Sequence, residues 1–406
     1  MNSVLIQPKL GLKGNWKQFS LLVLINGFVG AMVGLERSIF PQFADEVFGI
    51  TSESAILSFI IIFGVCKAFS NYFAGRLADR IGRKNLLAIG WTLALPVPLI
   101  LAFSNSWTFI LFSNAILGIS QGLTWSSTVV MKIDLVGEKE RGLAMGLNEF
   151  AGYLSIGISA YLTAIIADQF GIRPFPFLIG IAISSVGLFL SIFFVNDTGS
   201  HVQSELYTKS LPKQKSLFWK TTFTDKNLSS ITQAGLVNNL NDGMIWGLFP
   251  IFLTKIGYGL TDIGSLVAIY PMAWGFGQLA TGRLADIYSK KRILVIGMIA
   301  QGLAILLIPS SSSTIQIVSL SLVLGLATAM VYPTFLAGIA DYTHPVQRAE
   351  AIGIFRLWRD LGYAFGAVFS GLITVQIGVE FSIAAIGILT LFSGLLVWLR
   401  MPGKTN

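Results

Sequence analysis

The sequence predicts an all-α membrane protein whose twelve transmembrane helices form two pseudo-symmetric six-helix bundles. Three observations carry that expectation. Of the 406 residues, 53% are hydrophobic and only 12% charged, and the mean hydropathy is +0.72. Soluble domains usually carry about a quarter charged residues. Apolar stretches near 20 residues recur along the whole chain, and a helix needs about 20 residues to cross a ~30 Å hydrocarbon core. A basic segment at residues 75–84, Gly-Arg-Leu-Ala-Asp-Arg-Ile-Gly-Arg-Lys, returns at 282–291, a shift of 207 residues.

The expected spans of the first half are 19–43, 54–74, 86–104, 107–131, 142–167 and 174–195. The first follows a polar arm with Lys9, Lys13 and Lys17 and leads straight into a hairpin, so it reads as a span and not as a cleavable leader. The second ends at the first basic segment, and the third begins just beyond it. The second half repeats the arrangement at 228–254, 261–281, 293–309, 314–340, 350–376 and 380–399. Residues 1–195 are expected to form one bundle and 228–406 the other. Residues 196–227 are Ser-, Thr- and Lys-rich and read as a cytoplasmic linker, with a short surface helix around Leu217–Trp219.

Basic residues set the expected orientation. With the N-terminus in the cytoplasm, 22 of the 28 Lys and Arg fall in cytoplasmic segments and two, Arg173 and Lys255, in outer loops. This is the positive-inside distribution of a multi-pass cytoplasmic-membrane protein with both termini inside. It also explains the +8 net charge and pI near 9.5 without nucleic acid, since the charge lies where anionic lipid is met.

A lone cysteine, Cys66, excludes a disulfide framework and a thiol metal site. No HExxH or Walker sequence is present. No enzyme activity, cofactor or metal is expected, and energy must come from an ion gradient or from the solute's own gradient.

The 207-residue shift also relates Asp134 and Arg141 to Asp341 and Arg348, both in Asp-x6-Arg. Span 1 aligns on span 7 with an offset of 209, matching Pro41 to Pro250. On these residues the chain resembles the major facilitator superfamily over essentially its full length, in a layout close to twelve-span drug and metabolite carriers coupled to protons. That family's loop motif, G-x-L-x-D-R-x-G-R-[RK], is met by Gly75, Leu77, Asp79, Arg80, Gly82, Arg83 and Lys84; the second copy is degraded. Gly75 and Gly82 are expected to permit a tight turn and close helix approach. Asp79 can accept bonds from the free N–H groups of a helix N-terminus. The resemblance implies span 11 as that partner, with Arg80 and Arg83 in the same gate; the alternative for the basic residues is topology alone.

Eight ionisable residues fall within spans: Glu36, Arg37, Lys67, Glu149, Asp242, Arg356, Arg359 and Asp360. An unpaired charge there costs roughly 2.5–3.5 kcal/mol on insertion scales, so each marks function or an ion pair. Asp242 is the first candidate for proton coupling, followed by Glu149 and Glu36; for Glu36 the competing reading is a pair with Arg37 or an interfacial position. Arg356 and Asp360 lie four apart and either pair locally or leave Arg356 or Arg359 to meet an anionic group. The resemblance brings spans 2 and 11 together between the halves, which makes Lys67 and Asp360 a candidate ion pair there.

Span 7 holds Asn238, Asn239, Asn241 and Asp242; span 4 holds Asn114, Gln121, Trp125 and Thr128 on one face; span 10 holds Thr328, Tyr332 and Phe335. The resemblance places spans 1, 4, 7 and 10 around a central cavity. Arg37, Asn114, Gln121, Trp125, Asn238, Asn241, Tyr332, Arg356 and Arg359 are therefore expected to line it. The alternative for the aromatic residues is packing between helices. The expected function is secondary active transport of a small organic solute by alternating access, as proton-coupled efflux by a monomer in the lipid bilayer. Span 5 lacks the Gly-Pro of proton antiporters, reading Gly-Leu-Asn-Glu-Phe-Ala-Gly at 146–152. Proton-coupled uptake of an anionic solute thus stays open, as does a lipid flippase on the same scaffold.

Overall fold

The computed structural model describes residues 10–136, 141–199, 216–281, 287–343 and 347–402, without the side chains of Asp79, Arg141, Arg348 and Ala349. The expected Asp79 lock, residues 282–286 of the second motif copy and linker residues 200–215 lie outside the described residues.

Among the described residues, twelve long helices build the first and second halves. They are α1 (Leu12–Arg37), α2 (Ser58–Ile81), α3 (Arg83–Ala94, continued as Pro96–Phe103), α4 (Trp107–Val136), α5 (Arg141–Phe170) and α6 (Phe175–Phe193). After the linker come α7 (Lys226–Lys255), α8 (Leu260–Thr281), α9 (Lys290–Leu307), α10 (Thr314–Tyr342), α11 (Arg348–Ile377) and α12 (Val379–Arg400). Among the described residues, ten spans are long and apolar enough to cross a membrane. The other two long helices, α4 and α7, have 30 residues each and carry the most polar centres. Their polarity is hidden from lipid: α4 is buried without a break from Ser120 to Val129, and α7 from Val237 to Pro250. Large apolar side chains such as Phe109, Phe193, Phe392 and Trp398 instead lie on the outside, where lipid solvates them.

The repeat in sequence is a repeat in packing. In the first half α1 packs on α5, α2 on α4 and α3 on α4 and α6. In the second half α7 packs on α11, α8 on α10 and α9 on α10 and α12. The halves meet along two seams related by the same operation, α2 with α11 and α5 with α8. Close approach at the first seam requires Gly64, where a Cβ would stand 2.7 Å from Cβ of Tyr363.

The basic motif is mostly helix. Residues 75–81 form the end of α2, and the turn is the single residue Gly82, at φ 88°, where a left-handed conformation favours glycine. Asp197 follows α6 and accepts the amide of Lys84 at 2.9 Å, satisfying one free donor of α3. The expected tight role of Gly75 is corrected: a Cβ there would meet nothing within 4 Å.

Two boundaries also shift. α1 ends at Arg37, and a separate helix, Phe40–Phe48, folds over its end with Phe40, Pro41, Phe43 and Ala44 buried. Residues near a helix terminus are thereby sealed, and Glu36 and Arg37 are both 0% exposed. α4 runs five residues past its expected end, and this buries Lys132, read from sequence as a loop charge. Its Nζ donates to the Leu22 carbonyl at 3.1 Å. The short helix Leu217–Trp219 forms where the sequence placed one and continues as a π-helical turn, Lys220–Thr224. Asp225 then caps α7, accepting from the amides of Asn227 and Leu228.

Candidate transport site between the two bundles

The buried charges collect midway along the seams. Asp360 on α11 is held from three sides: Arg359 Nη1 at 3.3 Å, Asn239 of α7 at 3.3 Å and Asn71 of α2 at 2.5 Å. Asn71 also accepts from Ser126 of α4 at 2.6 Å, and Ser126 accepts from Arg356 at 3.1 Å. One polar chain thus crosses from α11 through α2 and α4 and back to α11. It joins the two halves by hydrogen bonds, which hold direction as well as charge.

This chain corrects two expected pairings. Arg356 does not pair with Asp360, because Ser126 takes its guanidinium across the seam. Lys67 forms no ion pair with Asp360, whose carboxylate is already occupied. The Lys67 ammonium stands instead 5.1–5.5 Å from the ring centroids of Tyr363, Phe63 and Trp125. Such contacts stabilise a desolvated cation without an acid.

Glu149 on α5 accepts from Trp125 at 3.2 Å and from Asn148 at 2.9 Å. Asp242 on α7 accepts the hydroxyl of Tyr270 through Oδ1, while Oδ2 has no partner. Arg359, Lys67 and Arg37 all lie within electrostatic reach of Asp242, so cations from both halves converge on it. Arg37 is packed against Trp246 at 4.4 Å, Phe63 at 4.8 Å and Phe59 at 5.8 Å, and its three guanidinium nitrogens lack hydrogen-bond partners. Glu36 makes no hydrogen bond to Arg37, so the competing reading of Glu36 as its local partner does not close. Neighbouring helical residues point about 100° apart and do not face each other.

An aromatic cluster fills the space between these charges. Tyr153 of α5 stacks on Trp274 of α8 with ring centroids 3.5 Å apart. Trp125 lies 5.6 Å from Tyr153, and Tyr332 lies 6.1 Å from Trp274. Arg359 sits 4.4 Å over the ring of Tyr332 and bonds the hydroxyl of Tyr153 at 3.4 Å. Trp246 stacks on Tyr363 at 5.0 Å.

The amide stripes divide differently from the expectation. Asn238 is buried with both amide atoms unpartnered. Asn241 belongs to the interior of the second bundle, donating to Gln301 of α9 at 3.0 Å and accepting from Thr390 of α12 at 2.6 Å. Gln121 donates to the Val29 carbonyl of α1 at 2.5 Å, and Asn114 bonds the Ile110 carbonyl of its own helix. Thr128 meets Asn26 of α1 at 2.8 Å. Of the span 4 stripe, Trp125 alone reaches the charged centre. Gln121 and Thr128 bind α4 to α1 within one half, and Asn114 bonds within its own helix. At the basic end, Arg80 is exposed and Arg83 is paired with Asp134.

Sequence reasoning missed Tyr153, Trp246, Tyr270 and Trp274. A signal was available. Each aromatic of this set stands four residues from another member of the centre: Phe63 and Lys67, Glu149 and Tyr153, Asp242 and Trp246, Tyr270 and Trp274, Arg359 and Tyr363. Four residues is one helical turn, so each pair shares a face.

Comparison with known proteins gives a consistent picture. Residues 20–238 and 231–406 each match the family model described as Major Facilitator Superfamily. The multidrug resistance protein MdtG of Citrobacter koseri is 24% identical over 408 residues, 95% of either chain. Its counterpart in Escherichia coli strain 55989 is 22% identical over 415 residues, covering 97% of this chain and 98% of that one. Among solved structures, a point mutant of the nucleoside transporter NupG aligns with a TM-score of 0.76 at 14% identity, over 94% of this chain and 100% of that chain. The human organic anion transporter MFSD10 aligns with a TM-score of 0.70 at 17% identity, over 94% of this chain and 99% of that chain.

Proposed function

The chain belongs to the major facilitator superfamily, and from that premise we propose that this secondary transporter exports a small organic solute in exchange for protons, with Asp242 as the proton carrier. It is a multi-pass membrane transporter and not an enzyme. The likeness to proteins named for multidrug resistance supports export. The basic turns support an orientation with that end in the cytoplasm.

One observation carries the coupling role. The Asp242 carboxyl is 0% exposed at the meeting of the two halves, with one oxygen on Tyr270 and the other unpartnered. A buried carboxylate of this kind is costly to move through an occluded form, and a bound proton removes that cost. In alternating access the halves rock about a site near mid-membrane. Asp242 would accept a proton on the outer side, cross neutral and release it inside, where the solute replaces it among the cations.

The test is made with purified protein in proteoliposomes carrying an internal pH dye. A panel of organic anions, cations and neutral sugars is offered under an imposed pH gradient. Solute flux should be matched by opposite proton flux. Asp242→Asn should abolish uphill accumulation while solute counterflow persists. Gradient-driven transport at the wild-type level in that variant would move the role to Glu149 or Glu36. Solute flux with no proton movement across the whole panel would end the coupling proposal.

A second reading, proton-coupled uptake of an anionic solute, is favoured by Arg37 and Lys67, two buried cations with no carboxylate contact. The direction of the proton flux in the same assay separates the two.

A further inference from the structure

We propose that Tyr153 and Trp274 form an aromatic clamp, and that the transported solute carries a planar ring which enters between them. The proposal rests on the reading that the buried centre is the transport site. It adds what that reading leaves open, the chemical class of the cargo.

The stack is a contact between halves. Tyr153 belongs to α5 of the first half and Trp274 to α8 of the second, and their centroids lie 3.5 Å apart at an interplanar angle of 26°. That spacing is a close, slightly inclined stack, with no room for a third ring. Any motion that parts α5 from α8 breaks it and exposes two facing aromatic surfaces. In water those surfaces are costly, so they favour a ring that replaces each lost partner. A planar ring restores both faces at once; a puckered saturated ring of similar volume cannot lie flush on either.

The surroundings fit a ring with a polar end. The indole Nε1 of Trp274 is buried without a hydrogen-bond partner and can serve an acceptor on an inserted ring. The Tyr153 hydroxyl is held by Arg359 at 3.4 Å, which fixes the plane of one jaw.

Pseudo-symmetry sharpens the assignment. Under the 207-residue shift, Trp274 corresponds to Lys67 and Tyr153 to Asp360. Two related seams would be expected to carry related pairs. One carries stacked rings, and the other carries a lysine and a carboxylate that do not contact each other. The two walls have diverged into an apolar planar jaw and a charged one, and a cargo that is flat at one end and polar at the other uses both.

The experiment compares solutes that differ only in ring planarity. 2-Naphthoate is paired with decahydro-2-naphthoate, and 2-naphthylmethylamine with its decahydro analogue. Binding to the full chain in detergent is measured by calorimetry, and flux is measured in proteoliposomes. In whichever charge series is bound, the aromatic member should bind roughly tenfold tighter than the saturated one, the scale of stacking on two faces. Trp274→Leu and Tyr153→Leu should erase that ratio. Trp274→Phe and Tyr153→Phe should retain most of it, which separates the clamp from a general loss of folding. Equal binding of aromatic and saturated members, binding by none of the four, or an undiminished ratio in Trp274→Leu overturns the clamp. Ring-selective flux without proton movement would instead sink the coupling reading and leave the clamp standing.

Discussion

The Nε of Arg83 lies 2.9 Å from Oδ2 of Asp134, and 207 residues later the Nζ of Lys290 lies 2.7 Å from Oδ2 of Asp341. The same ion pair is made twice, once in each half, between the start of one helix and the end of another. Arg83 follows the Gly82 turn, and Asp134 sits near the end of α4, where it also accepts from Thr198 at 2.7 Å. With Thr198, the pair therefore ties α3 and α4 to the segment that follows α6 at the basic end. Lys290 and Asp341 do the equivalent for α9 and α10. Each pair joins two helices of the same half.

Loss of this tie should weaken the bundle. The Arg83 and Asp134 side chains are each 10% exposed, so Arg83→Gln takes the guanidinium from a largely buried carboxylate. The expected cost is about 2 kcal/mol, read as a lower thermal midpoint in detergent. The exchanged pair Arg83→Asp with Asp134→Arg should recover part of it. No recovery, together with an unchanged midpoint in the single variant, would mean that the pair contributes nothing.

Asp360 and Lys67 should behave unlike partners. Asp360→Asn leaves Arg359 without its carboxylate and should destabilise the protein by about 2 kcal/mol. Lys67→Met removes a cation that touches rings and no acid, and the change should stay within about 1 kcal/mol. Denaturation of the two variants side by side decides it. Equal losses that fail to add in the double variant would restore a direct Lys67–Asp360 coupling.

Asn241 should prove structural. Its bonds to Gln301 and Thr390 lie inside the second bundle, and such interhelical bonds are worth about 1 kcal/mol. Asn241→Leu should lower the thermal midpoint slightly and leave the order of preferred solutes unchanged. A reordered solute panel would return the residue to the binding site.

Gly64 should be needed for closure of the α2–α11 seam. A Cβ there meets Cβ of Tyr363 at 2.7 Å and the amide nitrogen of Ala364 at 3.0 Å. Gly64→Val cannot reach the closed packing seen here, so turnover should fall at least about tenfold, a barrier rise of ~1.4 kcal/mol. Solute binding from one side should survive, measured by calorimetry. Normal turnover in Gly64→Val would show that the seam is not closed during the cycle.

Much of this was legible in the chain. Mean hydropathy, span lengths and the 207-residue repeat determine a twelve-helix membrane bundle in two related halves, because lipid admits only helices or closed barrels and a repeat copies its packing. The sequence also named the buried charges, since an ionisable residue in an apolar run is conspicuous. It did not say which charges touch. Arg356 with Asp360 was a natural pair by spacing, and Lys67 with Asp360 by the resemblance, yet Asn71, Ser126 and a cage of rings took those places. Partner choice is a matter of three-dimensional approach between helices far apart in sequence. Nor could periodicity separate Asn238, whose amide has no partner, from Asn241, bonded inside one bundle, because three positions along a helix amount to a rotation of about 60°. The Tyr153–Trp274 stack was invisible for the same reason: aromatic residues are abundant in any membrane helix, and only the docking of α5 on α8 sets these two face to face. Local chemistry wrote the helices, their polarity and their duplication. The packing of two bundles across a twofold seam decided which of their side chains form a site.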